Sequence, residues 1–225
     1  MSIRENEEKL FNRWKRRRPS LVKDGVVNEE SYTQSDTKLL FLLKEANDRG
    51  GGGWDLRDFL QEGARGQTWN NVTRWVRGIR SLSEEIPWSD LEEITPAQRT
   101  QFLRSICVIN FKKTPGGGTT DNDELERIAE EDRDYLNEQF SFYNPDLIVC
   151  GGSVTEHLFD KLILDRLIEP EKRRDWQLTS KGVPFNTLGP SKQVVSFHHP
   201  NLPRVRVCLL YYGLVDAIKE IRGRG

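Results

Sequence analysis

Leu39-Leu40-Phe41-Leu42-Leu43-Lys44-Glu45-Ala46-Asn47-Asp48 is the stretch from which the fold is read. Five apolar residues give way at once to polar ones, and then to Gly50, Gly51, Gly52 and Gly53. An apolar run without alternation predicts a strand covered on both faces, here feeding a tight loop. The same grammar recurs three times. Ile106-Cys107-Val108-Ile109-Asn110 runs into Phe111, Lys112, Lys113 and a Gly116-Gly117-Gly118 loop. Leu147-Ile148-Val149-Cys150 ends in Gly151-Gly152 and opens a helix. Val194-Val195-Ser196-Phe197 ends in His198-His199-Pro200-Asn201, where proline fixes the following turn. Helical patterns lie between these strands. The expected fold is therefore α/β, with three layers and a central, mostly parallel four-stranded sheet. Parallel strands put their C-terminal ends on one rim, which is where ligands of such folds bind.

The rest of the chain fits one domain over residues 1–225, with residues 1–20 as an N-terminal helical extension. A first helix is predicted over residues 5–18, ending in the basic block Lys15-Arg16-Arg17-Arg18. That block reads either as a solvated helix end or as a DNA-backbone contact. Trp69, Val72, Trp75, Val76 and Ile79 form an apolar stripe at helical spacing, read as core. Residues 121–140 read as one long acidic helix, residues 166–181 as a charged insertion, and residues 205–221 as a strand-to-helix unit or one helix.

The formal charge is -1, which argues against a polyanion binder driven by global charge but leaves room for a local basic groove. The three cysteines, Cys107, Cys150 and Cys208, lie in apolar runs without CxxC spacing. They suit a reducing cytoplasm and suggest neither zinc nor a disulfide framework. No apolar stretch is long enough for a membrane helix, and the acidic start does not read as a signal peptide. The expectation is a cytoplasmic monomer without metal or cofactor.

The order of the pieces resembles the uracil-DNA glycosylase superfamily, nearest to its iron–sulfur branch. In that branch a strand ends in Gly-Glu-Ala-Pro-Gly, and a later one in Asn followed by lysines and a Pro-Gly loop. An acidic helix, a Pro-x-Ile-Ile-x-x-Leu-Gly strand and a His-Pro loop follow. Here the counterparts are Lys44-Glu45-Ala46-Asn47, Asn110-Phe111-Lys112-Lys113-Thr114-Pro115-Gly116, Asp123-Glu124-Leu125-Glu126, Asn144-Pro145-Asp146-Leu147-Ile148-Val149-Cys150-Gly151 and His199-Pro200-Asn201. The likeness runs from about residue 37 to 220. Two departures stand out. Ala46 occupies the place where related branches carry the acid or amide that positions water. A four-iron cluster held by thiolates needs four cysteines, which this chain lacks.

The resemblance implies a monofunctional DNA glycosylase, which flips a nucleotide out of the duplex and cleaves the base–sugar bond. His199 is the expected donor to the departing base, and Glu45, Asn47 or Asp48 the group that positions water. Asn110 would read the base edge, since an amide both donates and accepts. Trp54 or Phe111 would stack on the base, with His198 nearby. Gly51, Gly52, Lys112, Lys113, Gly117, Asn201 and Arg204 would meet the DNA backbone. In uracil enzymes of this superfamily an aromatic after the first motif blocks the pyrimidine C5 position. Asp48 and Arg49 stand there instead. The expected substrate is thus a bulky C5-modified cytosine, hydroxymethylated or glucosylated, of phage DNA, in an antiviral role. The alternatives are a uracil or deaminated-base repair glycosylase, a catalytically silent nucleic-acid-binding module of the same fold, and a small-molecule enzyme such as a nucleoside hydrolase.

Overall fold

The computed structural model describes residues 1–48, 50–164, 167–169, 174–189 and 192–224. Arg49, on which part of the C5 reading rests, and Arg166, the first residue of the expected insertion, lie outside them.

Among the described residues the sheet has seven strands, not four. In chain order they are β1 (Gly25–Val26), β2 (Leu39–Leu43), β3 (Ile106–Asn110), β4 (Leu147–Gly151), β5 (Gln177–Leu178), β6 (Pro184–Thr187) and β7 (Gln193–Phe197). Their order across the sheet is β1-β3-β2-β4-β7-β6-β5. Strands β3, β2, β4 and β7 run parallel to one another. Strands β1, β6 and β5 pair antiparallel at the flanks. The flanking strands escape a pattern reading because they are short, and β6 begins with proline.

Alternation within each apolar run separates two cores. Leu39, Phe41, Leu43, Ile106, Val108, Leu147, Val149 and Val195 face one side of the sheet. Leu40, Leu42, Cys107, Ile109, Ile148, Cys150 and Val194 face the other. Helices cover both faces, which is why every position in β2, β3 and β4 is buried. On the first face lie α3 (Leu56–Gln61), α4 (Gln67–Arg80), α5 (Pro96–Leu103) and α9 (Val207–Gly223). On the second lie α1 (Ile3–Trp14), α6 (Asn122–Glu131), α7 (Arg133–Phe140) and α8 (Ser153–Phe159). The short α2 (Glu29–Thr33) precedes β2. The Trp69–Ile79 stripe is core, and α9 is one helix.

Two organisational expectations are corrected. Helix α1 is built into the core: Leu10, Phe11 and Trp14 are buried, so residues 1–20 are no extension. The acidic helix is broken in two at Asp132, which is fully buried. Arg17 Nε at 3.2 Å and Arg18 Nε at 2.9 Å hold its carboxylate. These two arginines of the basic block thus tie α1 to the α6–α7 junction. Among the described residues no helix is long and apolar enough to cross a membrane.

Candidate active site

The rim at the C-terminal ends of the parallel strands opens into a cleft of about 580 Å³. Three separate loops reach it. Glu45, Ala46, Asn47, Asp48 and Trp54 come from the loop after β2, Asn110 from the end of β3, and His199 and Asn201 from the loop after β7. Strand register explains the convergence: Leu43 lies opposite Asn110, and Gly151 opposite Phe197.

Backbone hydrogen bonds tie the first two loops together. Asp48 N–H donates to the Gly116 carbonyl at 3.0 Å, and Gly116 N–H to the Ala46 carbonyl at 2.9 Å. The Glu45 carboxylate packs against this bridge and forms an ion pair with Lys112 Nζ at 2.8 Å. A Cβ on Gly116 would sit 2.2 Å from the Glu45 carboxylate, so only glycine lets that side chain lie where it does. Burial alone would lower the Lys112 pKa, but hydrogen bonds to Glu45 and Glu124 raise it and keep the ammonium charged.

Asp48 has a different occupation. Its Oδ2 accepts the Gly52 N–H at 2.9 Å and the Trp54 Nε1–H at 2.8 Å. Gly52, at φ +109, packs against the Ser20 carbonyl, which also receives the Gly53 N–H at 3.3 Å. The glycine run is thus pinned around Asp48. Glu45 and Asn47 are left facing the cleft, the second on an exposed loop position.

The His199 loop is held from α4. Buried Asn71 donates from Nδ2 to the Pro200 carbonyl at 2.6 Å, and Arg74 Nη1 donates to Asn71 Oδ1 at 2.8 Å. Asn201 N–H donates to His199 Nδ1 at 3.1 Å. A nitrogen that accepts carries no proton, so the neutral ring holds its proton on Nε2. Burial, then the charge of Lys44, pushes the His199 pKa below its ordinary 6.5 and favours that neutral form.

Two assignments read from the sequence are overturned by burial. Phe111 is completely buried among Leu10, Trp14 and Leu40, and no base can stack on it. Lys113 is also buried: its Nζ lies 2.5 Å from Asp24 Oδ1 and faces the Trp14 ring at 5.2 Å. It cannot reach a DNA backbone, and Lys112 is engaged by Glu45 and Glu124. His198 is exposed beside the Phe197 ring and does not line the cleft. Gly51 and Arg204 are exposed on their loops, Arg204 at φ +67, and Gly117 is half-buried. Cys107 and Cys150 are fully buried in β3 and β4, where burial pushes both thiols well up.

A fourth segment of the cleft is not apparent in the sequence reading. Phe59, Arg65, Gly66, Gln67, Thr68 and Trp69 form the wall opposite the strand ends. Gly66, at φ +94, starts α4 without a side-chain cap, so the positive end of that helix meets the cleft. The Gly63-Ala64-Arg65-Gly66 spacing was the available signal, since glycines before an amphipathic helix mark a sharp entry. Asp24 is also missing from the sequence reading. It accepts the Asn110 backbone N–H at 2.7 Å and the Asn110 Nδ2 at 3.2 Å.

The chain matches no family model and no curated protein.

If Glu45 acts from its position against Gly116, then Gly116→Ala dislodges it by steric overlap. The expected result is a folded protein whose reaction rate falls roughly a hundredfold, the usual cost of a misplaced group. Single-turnover kinetics beside a melting curve would check this. An unchanged rate would remove Glu45 from the mechanism and leave Asn47.

Proposed function

We propose that the protein is a monofunctional DNA glycosylase acting on a C5-modified cytosine of phage DNA. The observation that carries the reading is the meeting of a carboxylate, an amide and a neutral imidazole in one cleft, from three separated strand ends. Base excision needs those three chemistries. Negative charge develops on the leaving pyrimidine, and a fixed donor stabilises it. His199 Nε2–H supplies that donor without requiring a charged ring. Asn110 reads the base edge. Glu45, with Asn47 beside it, positions the attacking water and stabilises the cation-like sugar. The resemblance to the uracil-DNA glycosylase superfamily supports the same assignment of roles.

Trp54 and Phe59 give the cleft an apolar side on which a flipped base can stack. Arg65, exposed at its mouth, and Arg204, exposed on the His199 loop, suit backbone phosphates. The C5 reading is reshaped by Asp48: its carboxylate braces the glycine loop, so room for a substituent lies toward Phe59, Arg65 and Gln67. The test is a ratio of single-turnover rates on duplexes carrying glucosylated hydroxymethylcytosine and uracil. The bulky base should react faster. Faster reaction of uracil would favour the repair alternative.

The His199 geometry predicts the pH profile. Protonation of Nδ1 would set a second N–H against the Asn201 N–H and break that hydrogen bond. Since the His199 pKa lies below 6.5, the rate should stay level through neutral pH and fall only in acid, with a midpoint under 6.5. A midpoint above that value contradicts a neutral donor.

A further inference from the structure

Asn110 is not free to turn. Its backbone N–H and its side-chain Nδ2 both donate to Asp24 Oδ2, at 2.7 and 3.2 Å. The other Asp24 oxygen receives Lys113 Nζ at 2.5 Å and Gln139 Nε2 at 2.8 Å. All three partner residues, and Asp24 itself, are buried. All four of these hydrogen bonds are ones the Asp24 carboxylate accepts. It can therefore be met only by the NH₂ end of the amide. The Asn110 side chain is held with Nδ2 toward Asp24, while Oδ1 has no donor among the described residues and is left to the cleft.

That orientation matters for a pyrimidine reader. A 4-amino pyrimidine offers an acceptor at N3 and a donor at the C4 substituent. A 4-oxo pyrimidine offers the reverse order. A fixed amide matches one order, whereas a flipping amide matches both. We propose that Asp24 is a positioning residue that sets the edge Asn110 presents, and thereby the discrimination between 4-amino and 4-oxo bases. The proposal rests on the glycosylase reading and adds to it a residue that touches no substrate.

The test uses full-length protein and pairs of duplexes whose 4-amino and 4-oxo members share the same C5 group: hydrogen, hydroxymethyl or glucosylated hydroxymethyl. The wild type should prefer one member of a pair. In Asp24→Asn the partner can accept or donate, Asn110 can flip, and the preference should shrink roughly tenfold or more. Equal loss of rate on both members with the preference intact would mean a merely structural role and overturn the proposal. A second measurement needs no variant and covers the case in which Asp24→Asn does not fold. In the wild type, NMR should show a slowly exchanging Asn110 Nδ2 proton coupled across its hydrogen bond to the Asp24 carboxyl carbon. A freely exchanging amide overturns the proposal even if excision is observed. Excision of no member of any pair would bring down the glycosylase reading and this inference together, with the NMR result still reporting the amide's orientation.

Discussion

His199→Ala should lose roughly two to three decades of excision rate while keeping its fold and its melting temperature. From the His-Pro loop, the ring and Asn201 line the cleft. Its Nδ1 is taken by the Asn201 N–H, so the ring can donate from Nε2 alone. Alanine removes that donor without leaving a buried charge, because the ring is neutral before the reaction. Binding of modified-base DNA should change far less than the rate, since the interaction strengthens as charge develops on the leaving base. Single-turnover kinetics and a separate binding titration distinguish the two. Equal loss in both would make His199 a binding residue, and a near-normal rate would remove it from the chemistry.

Arg57→Leu should unfold the protein far more readily than any change in the cleft. Arg57 is buried and meets three carboxylates: Asp55 at 2.6 Å, Glu8 at 2.6 Å and Glu7 at 2.5 Å. Glu7 is fully buried, and its remaining partners are the Val26 N–H and the Tyr143 hydroxyl. Removing one partner of such a pair costs about 3–5 kcal/mol. The pH dependence has a definite sign. Burial holds the Glu7 pKa above its ordinary 4.5 even with Arg57 present, and loss of the cation raises it further. A raised folded pKa gives stability that is full below 4.5 and is lost as pH climbs through the folded value. The deficit of Arg57→Leu against wild type should therefore grow from acid toward neutral pH. Denaturant melts across that range check it; a deficit independent of pH would contradict a Glu7 pKa raised further by loss of the cation.

Strands β2, β3, β4 and β7 were legible because each is a near-continuous apolar run, and only a doubly covered strand tolerates one. Their polar ends followed, which brought Glu45, Asn110 and His199 into view. Strand β1 was not legible: two residues carry no period, and its neighbour Asp24 looks like any turn aspartate before glycine. Its role depends on partners more than 80 residues away, Asn110, Lys113 and Gln139. Lys113 escapes a sequence pattern for the same reason. A lysine beside a glycine loop is ordinarily exposed, and only the buried Asp24 makes its burial tolerable. Phe111 looked accessible as the first residue past a strand end, but the chain continues along β2 there, with its N–H on the Leu43 carbonyl at 3.0 Å. The Arg65 wall carries little pattern, because a short polar link between two helices has no periodic signature.

The proposed reaction in this cleft is cleavage of the bond between a modified base and its sugar. It is tested most directly by incubating the protein with end-labelled duplexes that differ at one position: glucosylated hydroxymethylcytosine, hydroxymethylcytosine, uracil or unmodified cytosine. Hot alkali then breaks the strand wherever an abasic site has formed. Breakage is expected at the bulky modified cytosines, with release of the intact free base into solution, and none at unmodified cytosine. Intact strands on every substrate, with DNA binding retained, would contradict it and leave a nucleic-acid-binding module in its place.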